Sequence, residues 1–198
     1  MLLASEGTPR PGGRETAPGV ADHEGVDMAE SAAPAPGPKS SATEHAPDRG
    51  AIADWLARAH PAPRQAMSEW SNHGIALLPL GERFDAIRVP GRLVHAALGS
   101  DRAEVVEQVL ADWLCGPVIC DTRTGSGCYY VLVTPDAVWE GPGDRLRTGT
   151  YLAVPRIGKK ASPVTYWAVP PQRRGQLCDP AHLAALLSAA ETLKVVEP

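Results

Sequence analysis

Basic side chains surround the aromatic ones in the C-terminal half of this sequence. Arg123 lies in a turn just ahead of Tyr129. Arg145, Arg147, Arg156, Lys159, Lys160, Arg173 and Arg174 lie in the polar segments around Tyr151, Tyr166 and Trp167. Cations that follow phosphates and rings that stack on bases are how proteins hold single-stranded nucleic acid or a nucleotide. These eight cations, with Tyr129, form the candidate binding set. The same residue types also describe a solvated rim over buried aromatics. The charge balance leans toward the rim: residues 1–50 hold 4 basic and 8 acidic groups, and the rest of the chain holds 15 of each. Clustering of the basic groups on one open sheet face or groove would separate the two readings.

Nucleophilic and metal chemistry have weaker support. Cys115, Cys120, Cys128 and Cys178 sit in or beside apolar segments with no CxxC pair among them. Zinc wants closely paired thiolates with a second pair nearby, so reduced core thiols are the expectation. Cys120-Asp121 would set a nucleophile beside an acid, yet no histidine has a sequence reason to lie near it. Thr122-Arg123-Thr124-Gly125-Ser126-Gly127 lacks the terminal Gly-Lys-Ser/Thr of a phosphate loop and reads as a tight turn. His73 sits at a helix C-terminus, where a cation is favoured, and His95 and His182 sit within apolar segments. The sequence therefore names no catalytic residue, no metal ligand and no cofactor.

The elements that must position these groups centre on Gly116–Pro135. Strand-forming runs at Pro117–Asp121 and Cys128–Val133 flank Thr124-Gly125-Ser126-Gly127, a hairpin pattern. The second run is apolar on both faces: Cys128, Tyr130 and Leu132 on one, Tyr129, Val131 and Val133 on the other. Such a strand belongs inside a sheet. Ahead of it, Asp101–Cys115 predicts a helix with an Asp101/Glu104 capping box and an apolar stripe from Val105 to Leu114 that includes Trp113. Gly116-Pro117 should stop that helix. Further upstream, short helices are predicted near Ile52–Ala59 and Pro63–Asn72, the latter burying Met67 and Trp70. A buried strand at Ile75–Leu80, a strand at Phe84–Pro90 and a short helix at Leu93–Leu98 follow. Downstream, Gly149–Pro155 and Thr165–Pro170 read as a second hairpin, and Asp179-Pro180 opens a last helix. Helices at both ends of a hairpin-built, mainly antiparallel sheet predict an α+β domain over residues 51–198.

Residues 1–50 hold seven prolines, seven glycines and no aromatic residue. Such a segment cannot bury enough apolar surface to offset the entropy of ordering it, so a disordered acidic tail is expected. No apolar run reaches the roughly 18–20 residues that span a bilayer, and Met1-Leu2-Leu3-Ala4 lacks the length and basic flank of a signal peptide. A cytoplasmic protein with no membrane partner is the expectation.

Three segments, in order, carry a family resemblance over roughly residues 63–170. Trp70-x₃-Gly74-Ile75-Ala76-Leu77-Leu78-Pro79-Leu80 resembles the opening helix-to-strand signature of the bifunctional DNA primase/polymerase N-terminal (prim-pol) domain. Thr124-Gly125-Ser126-Gly127-Cys128-Tyr129-Tyr130 resembles its threonine-glycine-glycine hairpin. Gly149–Pro155 through Tyr166-Trp167 is similar to its glycine-rich strand and closing aromatic strand. The resemblance implies a prim-pol-like α+β scaffold. In that family a two-metal centre uses an Asp-x-Asp pair and a hairpin histidine. Here no Asp-x-Asp or Glu-x-Asp lies between Gly74 and Gly127, and Tyr129 or Tyr130 stands where the histidine is expected. The implied member is catalytically degenerate. It would bind nucleic acid, a nucleotide or a replication-associated partner, or else be an interaction or regulatory protein that kept the scaffold alone. An active polymerase is a distant third. With Asp121 the single carboxylate on the central hairpin, two metals cannot be organised against a triphosphate. No template-directed primer synthesis or extension is expected with magnesium or manganese. Nucleotide incorporation that disappears in Asp121→Asn would show the opposite.

Overall fold

Asp48 accepts the Ala51 N–H at 3.0 Å, a side-chain cap on α1 (Arg49–Ala57). The computed structural model describes residues 48–158 and 162–195, with side chains through Ser188. The tail through residue 47 and the candidate cations Lys159 and Lys160 lie outside the described residues. α2 (Pro63–His73) starts on a proline, whose missing N–H costs nothing in a first turn. It ends at Gly74, whose N–H reaches the Trp70 carbonyl at 3.0 Å.

The strands follow as β1 (Ile75–Pro79), β2 (Asp85–Pro90), β3 (Val118–Asp121), β4 (Cys128–Val133), β5 (Asp144–Leu146), β6 (Tyr151–Pro155) and β7 (Thr165–Val169). α3 (Gly91–Leu98) and α4 (Ala103–Leu114) lie between β2 and β3, and α5 (Pro180–Val195) follows β7. Five strands form one antiparallel sheet in the order β5-β2-β4-β3-β7, while β1 and β6 pair separately. The fold is α+β. The expected central hairpin is β3–β4, and β4 is an interior strand between β2 and β3.

Strand side chains alternate between faces, and on β4 this divides two cores. Tyr129, Val131 and Val133 pack with Val94 of α3, Val106, Leu110 and Leu114 of α4, and Leu183, Leu186 and Leu187 of α5. Leu132, with Tyr130 at its edge, joins Ile52 and Leu56 of α1, Ala66 and Trp70 of α2, and Leu78, Leu152 and Val154 of the small sheet. The Trp70 indole N–H donates to the Val154 carbonyl at 2.8 Å, fastening α2 to β6 inside that second core.

Several expectations are corrected. Gly149–Pro155 and Thr165–Pro170 do not pair as a hairpin; β6 pairs with β1 and β7 with β3. The reason is burial: all of β3 is buried and needs a partner on its second edge, while Ala76 and Leu78 of β1 face the same core as Leu152 and Val154 of β6. β5 goes unseen in the sequence because it is short and reads as turn. The Asp101/Glu104 box does not form, because α4 starts at Ala103 and has no side-chain cap. Glu104 instead lies in the first turn, where its charge suits the helix N-terminus. The helix ends at Cys115, which takes the left-handed conformation at φ 50°. Gly116 serves a different need, since a Cβ there would lie 2.6 Å from Cys178 Sγ. Met67 and Leu77 are exposed, so β1 is buried on one face only.

Trp113 is also corrected. The buried stripe of α4 is Val106, Leu110 and Leu114, which leaves Trp113 at its edge, 46% exposed. Its indole N–H donates to the His182 carbonyl at 2.9 Å, a tie to α5 across the rim of the core. Trp70→Ala is therefore expected to destabilise the protein by about 3–5 kcal/mol, as truncation of a buried aromatic does. Trp113→Ala should cost only about 1 kcal/mol, near the worth of its one hydrogen bond. Urea unfolding of both variants checks the order.

Candidate functional site

The turn end of the β3–β4 hairpin is where the sheet meets solvent. Register sets Asp121 of β3 opposite Cys128 of β4, and Ile119 opposite Tyr130. On the other side of β4, Arg88 of β2 faces Tyr130. Alternation therefore puts Arg88, Cys128, Tyr130 and Asp121 on one face. The turn between β3 and β4 is held closely: Gly127 N–H donates to the Thr124 carbonyl (2.7 Å), Gly91 N–H to the Gly127 carbonyl (2.8 Å), and Thr122 N–H to the Val164 carbonyl (2.8 Å). Gly127 has φ 75°, and a Cβ there would meet the Asp121 carbonyl oxygen at 2.8 Å, so only glycine fits.

A cleft of about 320 Å³ opens over this face, lined by Arg88, Asp121, Arg123, Thr124, Cys128 and Tyr130. Asp121 is the acid at its floor. Arg123 Nε donates to both carboxylate oxygens at 2.9 Å, Nη2 adds a further bond, and the Arg123 backbone N–H reaches Oδ1 at 3.0 Å. Hydrogen bonding from Arg123 outweighs burial and holds the Asp121 carboxyl below the usual range. Burial pushes the Tyr130 phenol up, helped by Cys128 and Asp121 and opposed by Arg88 and Arg123. The Arg88 guanidinium lies against the Cys128 thiol and 3.9 Å from Asp144. Two cations and one paired acid around an aromatic ring suit an anionic ligand.

Of the sequence candidates among the described residues, only Arg123 lines this cleft. Tyr129 faces the helix side of β4, buried, its hydroxyl 3.1 Å from His95 Nε2 and its ring edge-on to that imidazole. It is not placed to stack on a base; its neighbour Tyr130 is. Arg145 is committed to the fully buried Asp85, through Nε (3.0 Å) and Nη2 (2.7 Å), and to the carbonyls of Pro135 and Ala137. Arg147 sits in the β5–β6 turn, its carbonyl accepting from the Thr150 N–H. Arg156 lies where β6 meets the start of β1, its N–H donating to the Gly74 carbonyl. Arg173 and Arg174 follow β7, and the Arg173 N–H donates to Gln176, whose amide in turn reaches the Cys115 carbonyl. That is the Val118 end of the sheet, away from Asp121. The described basic residues thus do not share one groove.

Arg88, Cys128 and Tyr130 are site residues that sequence reasoning missed. Their signal was the alternation of β4 together with the β2–β4 pairing, and the pairing is not readable from the chain alone. The acids do not converge either. Asp85 pairs with Val133, five residues along β4 from the Asp121 partner Cys128, which is roughly 17 Å of strand. Asp85 and Asp121 also point to opposite faces. Among the described residues no group of three His, Cys, Asp or Glu side chains is placed to hold a metal ion, and no helix is long and apolar enough to cross a membrane. The four cysteines are free, with burial pushing the Cys178 thiol up to about 12.

Comparison with known proteins finds no family model, no curated protein and no solved structure that matches this chain.

The Asp121–Arg123 pair makes a pH prediction. A carboxylate held below its unfolded value, about 3.9, contributes stability that is complete above that pH and is lost as pH falls through the lower folded value. Carboxyl NMR should place the Asp121 titration below 3.8 in the wild type. In Arg123→Ala the opposing effect of burial dominates, so the midpoint should rise, and the Asp121 share of the acid loss of stability should vanish.

Proposed function

We propose that this chain is a non-catalytic, prim-pol-like domain that holds a nucleotide, or the end of a nucleic-acid strand, in the cleft over the β3–β4 hairpin, in a replication-associated setting. The observation that carries this is the grouping of Arg88 and Arg123 around Tyr130 on one open sheet face. Guanidinium forks match phosphate oxygens, and a partly exposed tyrosine offers a ring to a base. Among the described residues the one acid lining the cleft, Asp121, is already paired with Arg123, and Arg88 has only a longer, solvent-exposed contact with Asp144, which leaves its guanidinium open to a phosphate. Its volume suits one small ligand. The neutral balance of residues 51–198 disfavours a long polyanion. The segment that resembles the prim-pol hairpin, Thr124–Tyr130, forms the edge and floor of this cleft, which adds to the same reading.

A second reading, an interaction protein on the same scaffold, is favoured by Leu77 and Tyr151, apolar side chains 55% and 64% exposed on the small sheet. Titration with adenosine 5′-monophosphate, adenosine and a labelled short single-stranded DNA, at about 50 and 200 mM salt, tests the first. The phosphate-bearing probes should bind more tightly than adenosine and weaken at the higher salt. Arg88→Ala should weaken them by about tenfold, the worth of one charge-assisted contact. Binding that is absent, or indifferent to both salt and Arg88, would leave the interaction reading standing.

A further inference from the structure

Two cavities meet at one ion pair. Beside the larger cleft lies a second of about 210 Å³, and the two share Asp121, Arg123 and Tyr130 as lining. The larger adds Arg88, Thr124 and Cys128. The smaller adds Leu77, Leu146, Tyr151 and Leu152, a mostly apolar wall. The common wall thus includes the Arg123 guanidinium bound to Asp121.

The two partners are held differently. Asp121 ends β3, with its backbone paired to Cys128 on one side and Thr165 on the other, and its side chain is 9% exposed. Arg123 lies outside any strand, its side chain is 61% exposed, and among the described residues its guanidinium hydrogen bonds all go to Asp121. The pair is bidentate, but its arginine side is open to water, which screens it, and a phosphate offers the same fork a second bidentate partner. Asp121 would not be stranded, because the Arg123 backbone N–H still donates to it at 3.0 Å.

We infer that the Asp121–Arg123 pair is a removable partition, and that the ligand is a phosphate ester with a flat or apolar tail spanning both cavities. The inference rests on the anion-binding reading above. Arg123 leaves Asp121 for the phosphate, which Arg88 holds from the other side. Asp121 then accepts hydrogen bonds from hydroxyl or amino groups in the middle of the ligand. The tail lies against Leu77 and Tyr151, which otherwise face water.

The experiment measures affinity for inorganic phosphate, adenosine 5′-monophosphate and adenosine across five variants, with thermal unfolding as the folding control. Asp121→Asn releases Arg123 and should tighten inorganic phosphate by about fivefold or more, since the built-in competitor is gone. Asp144→Asn removes an equal charge 3.9 Å from Arg88 and should change it by less than about twofold, as exposed pairs do. Tyr151→Ala should abolish the advantage of the nucleotide over phosphate. Equal effects of the two Asp variants, or an unchanged nucleotide-to-phosphate ratio in Tyr151→Ala, would overturn the partition. If Asp121→Asn fails to fold, Arg123→Gln decides: phosphate affinity should fall while adenosine affinity holds or rises, and a parallel fall would overturn it. Arg88→Ala separates the two levels. If it leaves phosphate binding untouched, the anion site itself fails; if it weakens phosphate while the other variants behave as plain charge changes, only the partition fails.

Discussion

β4 pairs with β2 along one edge and β3 along the other, and its alternate side chains enter two separate cores. Every other element takes its place from this strand. α3, α4 and α5 cover the face carrying Tyr129, Val131 and Val133. α1, α2 and the small sheet cover the face carrying Leu132. The cover on that second side stops short of the hairpin end, so Tyr130 and Cys128 remain at a cleft where the same face, further along, is core. Burial drives both halves of the fold, and the candidate site is what is left where the second half ends.

Two Asp–Arg pairs in this protein show how burial decides the role of identical chemistry. Asp85 and Arg145 are 1% and 21% exposed, and Arg145 also holds two loop carbonyls. Breaking one partner there would leave a charge buried without compensation, a cost of several kcal/mol. That pair braces β2, β5 and the loop after β4. Asp121 and Arg123 are two residues apart, and the arginine reaches into solvent. Its loss would leave a carboxylate at the edge of water rather than inside the core. The first pair is part of the frame, and the second lies at the surface, where the proposed ligand would meet it.

Much of the frame was legible because it rests on local signals. The hairpin turn, the Gly74 cap, the α5 start at Asp179-Pro180 and the two faces of β4 all follow from residue type and short spacing. What escaped depends on contacts distant in sequence. Whether β6 pairs with β7 or with β1 is decided by which edges need partners, and no periodicity reports that. Trp113 shares the apolar character of its helix stripe, yet one position of rotation takes it to the rim. The site is half visible in the sequence: Arg123 stands out in its turn, but residue type alone does not separate Tyr130 from Tyr129, and Arg88 joins the pair only through the β2–β4 register. Most of the remaining described cations are near one another in sequence, whereas the sheet spreads them over different ends and edges.

The adjacent tyrosines on β4 carry one more implication, for how this chain tolerates change in length. Tyr129 lies among helices and Tyr130 faces the cleft only because strand side chains alternate. Inserting or deleting one residue within β4 would exchange them, sending the ring of the cleft into the core and the histidine-bonded ring out to water. The loop before it, Thr122–Ser126, is exposed and carries no such parity. Variation in length around this cleft is therefore confined to the hairpin tip, and it can reshape the rim of the cleft without disturbing which ring lies beneath.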